Sequence, residues 1–374
     1  MEKMIYLIIP VLCWVTSCNI SVQGDDLNDA DEGSLAWTLS PPEPGDVYVV
    51  GSQVEYDKEG SLICIPTIWK NGIEQKLTDG ASNAFANSVY VTGNDVYVAG
   101  FEGNVAIVWK NGEAQKLTGN RLTSTRATSI FVSGNDVYVA GIESVRDVVP
   151  SSGRGMGSVI YAAVFWKNGI VQYLTDGTYG ADAASIFISG NDIYVAGYEN
   201  CGQQGGTEIS GFYNLGVATL WRNNDAQRLT DGLSNASACS VFVSGEDIYV
   251  VGHLRDNTAY ESAVVWKNGI PQILTDGSVS VEVTSVYVLG NDVYVAGHLN
   301  SVATVWKNGD AQHLSDGTSN SYAHSIFVSR EDVYVIGNET TDKASSAAFW
   351  KNGIAQRLAN STFGTMIYSI FVVE

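Results

Sequence analysis

The chain is short of positive charge, cysteine and histidine, and each shortage removes a class of function. Forty acidic residues face 20 basic ones, a formal net charge of -20. A surface of that sign repels phosphate backbones and anionic lipid heads, so nucleic acid is not an expected partner. Beyond Cys13 and Cys18 near the N-terminus, only Cys64, Cys201 and Cys239 remain, an odd number at irregular spacing. That excludes a disulfide framework or zinc knuckle as the organising element. Cys64 and Cys239 lie in strand-like runs and read as small buried hydrophobes, whereas Cys201 sits in a long loop. No stretch beyond the N-terminus shows a helical period. Gly-x-Ser-x-Gly, Walker and His-Glu-x-x-His sequences are all absent.

The first residues read as an export signal. Met1-Glu2-Lys3-Met4 is a short n-region, and Ile5 to Trp14 is apolar but too short to cross a bilayer. Val15-Thr16-Ser17-Cys18 follows: a branched residue, two small ones and a cysteine. This resembles the lipobox of bacterial lipoproteins. The resemblance implies cleavage before Cys18 and lipid, palmitate included, attached there. Residues 1–17 would then be a signal peptide and 18–45 a lipidated tether. Asp25, Asp26, Asp29, Asp31 and Glu32 charge that tether, and Pro41-Pro42-Glu43-Pro44-Gly45 ends it. Lacking apolar periodicity, it is expected to be flexible or extended. At about 0.8 kcal/mol per buried methylene, several acyl chains would hold the protein on a membrane. The expected location is the cell envelope, at the outer membrane or cell surface.

From residue 46 to 374 one unit recurs seven times. Asp-Val-Tyr-Val or a close variant begins at Asp46, Asp95, Asp136, Asp192, Asp247, Asp292 and Asp332. Trp69, Trp109, Trp166, Trp221, Trp266, Trp306 and Trp350 each precede a turn, usually Lys-Asn-Gly, and then Gln-x-Leu. A Ser-aromatic strand completes each unit. Apolar, β-branched and aromatic runs separated by Asn-Gly and Gly-Asn turns read as consecutive hairpins. The fold class is therefore all-β: a seven-bladed β-propeller of four-stranded antiparallel blades. The first unit lacks its Ser-aromatic strand, and Ser369-Ile370-Phe371-Val372-Val373-Glu374 supplies it from the other end. Pairing the two closes the ring and removes an exposed edge.

A repeat of this kind explains most conspicuous residues as scaffold. Burying each Trp removes about 150–250 Å² from water, roughly 4–6 kcal/mol gross, so seven indoles read as core. The repeated Asp and Asn-Gly read as turn residues. Asp79, Asp176, Asp231, Asp276 and Asp316, each before Gly, read as turns in preference to calcium sites.

Function must lie where the repeat breaks. From the second-strand Gly to the Trp the separation ranges from 9 to 25 residues, while Trp to the next Asp is nearly constant. Loops that vary on a fixed frame are where binding usually resides. The longest, 142–162 and 198–217, sit on neighbouring blades and carry Arg146, Arg154, Tyr161, Tyr198, Glu199 and Tyr213 as candidate binding residues. Their glycines suit a ligand-adapting loop and equally a loop without a role. Most units place Glu near the second-strand Gly, as at Glu102, Glu143, Glu199 and Glu339, but two place His253 and His298 directly after it. With His324 these form an arc on one face, the candidate for a divalent metal or a general base; ordinary half-buried histidines are the alternative. The position before each repeated Ser also varies: Asn87, Thr128, Ala184, Cys239, Thr284, His324 and Tyr368.

The Gly-His and Trp-Asp pair of WD40 repeats, the kelch double glycine and the sialidase Asp box are missing. Repeat and lipobox together resemble uncharacterised seven-bladed propeller lipoproteins of bacteria, a resemblance that brings no catalytic residue. The expected function is a monomeric, membrane-anchored, extracytoplasmic propeller binding a protein or glycan on its loop face, without catalysis or cofactor. The alternatives are a carbohydrate-active enzyme, such as a polysaccharide lyase or glycosidase, and a structural or assembly protein of the envelope.

Overall fold

The computed structural model describes residues 36–119, 124–146, 159–205, 213–255, 260–340, 345–359 and 364–374. They form seven four-stranded antiparallel sheets, so the chain is a seven-bladed β-propeller. Blades 2 to 7 each run in sequence order from an inner to an outer strand, starting at Ala84, Thr125, Ala181, Asn235, Val281 and Asn320. Blade 1 combines Val47–Tyr56, Leu62–Lys70 and Ile73–Lys76 with Thr365–Val372 from the opposite end of the chain. Val49 pairs with Ile370 and Val50 with Ser369, the closure expected from the missing strand.

The repeated residues form a clasp at the turn between third and outer strands. In blade 2, Asp95 Oδ1 accepts from Asn111 Nδ2 at 2.9 Å, and Lys110 Nζ lies 2.8 Å from Asp95 Oδ2. Asn111 Oδ1 in turn accepts the Val96 N–H at 2.8 Å, and Lys110 stands over the Tyr97 ring. Equivalent clasps recur in all seven blades, with Arg222 replacing Lys in blade 4. The Asn-Gly turn needs two positive φ angles, and Asn168 (51°) and Gly169 (80°) supply them. In blade 4 Asn224 takes the Gly place at φ 73°. All seven repeat tryptophans are 0–1% exposed, and so are core. The Asp-Gly carboxylates cap their own turns, as Asp176 Oδ1 accepting the Thr178 N–H at 2.7 Å shows.

Two closed rings surround the axis. Each repeated Ser accepts a backbone N–H from the next blade's inner strand: Ile130 to Ser88 at 3.1 Å, Ile186 to Ser129 at 3.2 Å, and so on to Val89 and Ser369 at 3.3 Å. Below them Tyr90, Phe131, Phe187, Phe242, Tyr287, Phe327 and Phe371 touch in sequence, centroids 4.8–5.2 Å apart, until the circle closes. Tilted aromatic pairs at this spacing are attractive beyond their buried area. Burial pushes the Tyr287 hydroxyl up to about 12 and raises that of Tyr90.

One expectation needs revision. The end of the segment read as a flexible tether is docked. Gln75 Oε1 accepts from the Thr38 N–H at 2.9 Å and the Leu39 N–H at 3.2 Å, and Gln75 Nε2 donates to Ala36 O. Lys70 Nζ donates to Ser40 O and Pro41 O at 3.1 and 2.7 Å. Trp37 and Leu39 pack into the core between blades 1 and 2. The isolated apolar pair carries no periodicity, which is why composition alone reads this stretch as a spacer.

Candidate functional site: the mouth of the axial channel

In every blade the inner strand bulges just before the repeated Ser, as between Ala183 and Ser185 opposite Gly197 and Ala196. The bulge drives a backbone carbonyl over the second-strand Gly. A Cβ on Gly197 would lie 1.9 Å from Asp182 O, and one on Gly252 would lie 2.0 Å from Ser237 O. Glycine is therefore a packing requirement here. The bulge also sets which side chains reach the axis. Ala86, Ala127, Ala183, Ala238, Val283, Ala323 and Ile367 are fully buried between blades, while most of the residues on either side of them remain half-buried. With blades packed on both flanks, the channel is the water these half-buried side chains meet.

The upper level of the channel is Phe85, Arg126, Asp182, Ser237, Glu282, Tyr322 and Met366. The variable position before each Ser lies beneath, and the aromatic ring forms the floor. At the lower level polar side chains bridge to the next blade: Asn87 Nδ2 donates to Ala127 O, Thr128 Oγ1 to Ala183 O and Thr284 Oγ1 to Ala323 O. At the upper level the charges are unsymmetrical. The Arg126 guanidinium stands 5.0 Å over the Phe101 ring. Asp182, one blade on, has an Oδ1 that is buried without a hydrogen-bond partner among the described residues, as does the Asn87 Oδ1.

Burial dominates the ionisation here. It raises the Asp182 carboxyl to about 7, helped by Cys239 and opposed by the Ala183 backbone hydrogen bond and then by Arg126. It raises Glu282 to about 8, a rise that only a charged His253 would oppose. His298 and His324 are both held down to about 4 by burial, His298 also by the other two imidazoles. Glu282 Oε2 and His298 Nδ1, 3.9 Å apart, are thus a protonated carboxyl and a neutral ring near pH 7, not an ion pair.

The three histidines of the sequence reading are close enough to influence one another, but they do different things. His253 Nε2 accepts the Val283 N–H of blade 6 at 2.9 Å, and its Nδ1 lies 3.5 Å from Cys239 Sγ. Against burial, an ionised Cys239 first of all, with Glu282 and Glu261, would lift this ring to about 9, but protonation at Nε2 would forfeit the Val283 hydrogen bond. We therefore take His253 as neutral, with both nitrogens engaged in joining blades. Asn338, at the same place in blade 7, does the same job with Thr365 O and the Ile367 N–H. His298 meets Tyr322 edge-on, with centroids 4.8 Å apart, and His324 is half-buried at the variable level. Among the described residues no group of three or more His, Cys, Asp or Glu could hold a metal ion.

The loops 142–162 and 198–217 are partly strand. The second and third strands of blade 3, Asp136–Arg146 and Val159–Lys167, stay paired as far as Arg146 and Val159. In blade 4, Asp192–Gly205 and Tyr213–Arg222 pair out to Gly205 and Tyr213. Both are ribbons standing on the face where blades connect. Tyr161 and Glu199 lie half-buried near their bases, and Tyr198 pairs with Asp182. Arg154, Cys18, the lipobox and the signal segment lie outside the described residues, as do the side chains of Arg146 and Tyr213. The glutamates near the second-strand Gly serve the scaffold in two blades: Ser82 Oγ donates to Glu102 and Tyr173 OH to Glu143. Sequence reading missed Arg126, Asp182 and Glu282. Their signal was the same variation that marked the position before Ser, one inward-facing place earlier on the inner strand.

No family model matches this chain, and no curated protein matches it. Solved structures match in fold. A puromycin-hydrolyzing peptidase of Mycobacterium tuberculosis has a TM-score of 0.54 at 14% identity, over 86% of this chain and 52% of that one. The β-propeller domain of the Trilobed protease from Pyrococcus furiosus has a TM-score of 0.52 at 13% identity, over 86% and 95%. An acylaminoacyl peptidase of Pyrococcus horikoshii gives 0.51 at 15%, over 87% and 53%. The chain thus spans about half the length of the two whole peptidases and nearly all of the isolated propeller domain. That domain has an open velcro topology, whereas here the last strand is paired into blade 1.

Proposed function

We propose that this propeller is a non-enzymatic binding protein, anchored to a membrane through Cys18 on the extracytoplasmic side, that takes a protein or glycan ligand on its ribbon face. One coincidence carries the reading. Arg126 and Asp182, which break the seven-fold pattern with opposite charges, stand on blades 3 and 4, the two blades that raise the long ribbons. Asp182 Oδ1 and Asn87 Oδ1 are acceptors in want of donors, which hydroxyl- or amide-rich ligands supply. Immobilised glycans and peptides should retain the wild-type protein and release Arg126→Ala and Asp182→Asn. Retention unchanged in both variants would remove the channel mouth from the site. Loss of labelled palmitate from Cys18→Ala tests the anchor.

A second reading, a carbohydrate-active enzyme, is favoured by Glu282 and His298. They offer a proton donor and a neutral base side by side. Turnover of a polysaccharide, abolished in Glu282→Gln, would select it over binding alone.

A further inference from the structure

We propose that the outer groove between blades 2 and 3 is a docking site for an extended segment of a partner protein, of the pattern aromatic-x-leucine-Ser. The reason is that the chain already fills the twin of this groove with a segment of its own. Between blades 1 and 2, Trp37 and Leu39 lie in a groove walled by Tyr48, Ile68, Leu77 and Val98. The indole covers Gly112 so closely that a Cβ there would be 2.9 Å from Trp37 Cε3. One repeat further on, Tyr97, Val108, Leu117, Val139 and Gly169 hold the corresponding places around a cavity of about 260 Å³.

The polar groups match as well. Gln75 turns outward to bind the segment's backbone, and Lys70 binds the carbonyls of Ser40 and Pro41. Gln115 stands at the equivalent place in blade 2 and lies over the next blade's Gly, its Nε2 3.1 Å from where a Gly169 Cβ would be. Gln227 does the same over Gly269 at 2.8 Å, so this is the resting arrangement of a groove without a segment. Lys70 is 7% exposed under its load, whereas Lys110, held by Asp95 and over the Tyr97 ring, is 48% exposed, which leaves a cation at the rim for peptide carbonyls. Docking would swing Gln115 off Gly169 onto the incoming backbone and seat the aromatic ring on the glycine.

The groove opens beside Asn135 and Asn168, in the turns at the end opposite the ribbons. It is therefore independent of the channel mouth. The protein's own segment does not compete for it, because that segment reaches the blade 1–2 groove at the high effective concentration of a covalent link. Between blades 3 and 4 Asn224, at φ 73°, stands in place of that glycine, so a side chain begins at the position that Trp37 covers on Gly112.

That replacement supplies the test. Gly169→Asn introduces at φ 80° what the chain already carries at φ 73°, so the fold is expected to survive, as an unchanged melting temperature would verify. The probe is a fluorescent peptide of residues 36–41, Ala-Trp-Thr-Leu-Ser-Pro, titrated by anisotropy against the intact protein. Saturable binding is expected, weakened roughly tenfold or more by Gly169→Asn, by Gln115→Ala, or by Trp→Ala in the peptide. Absence of saturation at millimolar peptide would overturn the proposal. So would binding that Gly169→Asn leaves unmoved, since the peptide would then be exchanging with the protein's own segment or sitting elsewhere.

Discussion

Ser369 Oγ accepts the backbone N–H of Val89 at 3.3 Å across 280 residues of sequence. The same bond joins each of the other six pairs of neighbouring inner strands, so this one differs only in joining the two ends of the chain. It shares the closure with the Val50–Ser369 and Val49–Ile370 ladder and with Phe371, which links Tyr90 and Phe327 in the aromatic ring.

Ending the chain before Ser369 should therefore cost far more than a terminal strand. It opens the first blade, breaks both axial rings and bares Val49 and Trp69, which pack against Ile370 and Val372. Loss of a single cooperative melting transition is expected. Ser369→Ala alone, which removes one hydrogen bond, should cost about 1 kcal/mol. A truncated chain that melts like the intact one would rule out this closure.

The architecture was legible because it is periodic: seven Trp, seven Asp and seven Ser-aromatic strands leave one arrangement that buries them all. Ser88 and its copies could be counted but not explained, because a hydrogen bond to the next blade appears only once the inner strands lie side by side. Arg126 and Asp182 were hidden for the opposite reason. They have no copies, and their neighbourhood comes from adjacent blades. The stretch around Trp37 was read as a spacer because what it meets, Gln75 at the backbone of Ala36, Thr38 and Leu39 and Gly112 under the indole, lies in blades 1 and 2 and nothing local marks the contact.

Gly252→Ala tests the bulge. A methyl group there would sit 2.0 Å from Ser237 O and 2.9 Å from Ala238 Cα, both backbone atoms of the inner strand. Neither can turn aside, so the strand must shift. Destabilisation of about 2–4 kcal/mol is expected in chemical denaturation. Gly245→Ala is the contrast: no atom lies within 4 Å, and only its φ of 61° opposes the change. Its cost should be about 1 kcal/mol.

His253 is read as a joint between blades 5 and 6, and Asn338 shows that an amide can make the same joint. His253→Ala leaves the Val283 N–H buried and unpaired, at a cost of about 1–3 kcal/mol. His253→Asn should recover part of that loss. Equal destabilisation by both would argue that the ring's packing, not its acceptor, matters.

The seven clasp aspartates set the acid limit. Each has its pKa lowered, in six blades by the Lys or Arg hydrogen bond together with that of the turn Asn, and in Asp46 by the same bonds against burial. A depressed carboxylate contributes stability that is present above its unfolded pKa near 3.8 and lost as pH falls through the folded value. Melting temperature should drop steeply below about pH 4, and less steeply in Asp247→Asn. An unchanged slope in that variant would separate the clasp from acid unfolding.

Asp182 should act in the opposite sense. Its folded pKa, about 7, lies above the ordinary 3.8, so the folded protein holds this proton the more tightly. The contribution is full below about pH 4 and disappears as pH rises through 7, when a half-buried carboxylate must ionise with Arg126 as its only nearby cation in that balance. Asp182→Asn keeps the shape and removes the charge. Its stability relative to wild type should rise between pH 5 and pH 8, by on the order of 1–2 kcal/mol. His298 and His324 lose stability instead as pH falls from 6.5 towards 4, and they are common to both proteins, so the difference isolates the carboxyl. A difference that stays flat from pH 5 to 8 would mean that Asp182 is ionised and solvated throughout, and the channel mouth would lose its poised acceptor.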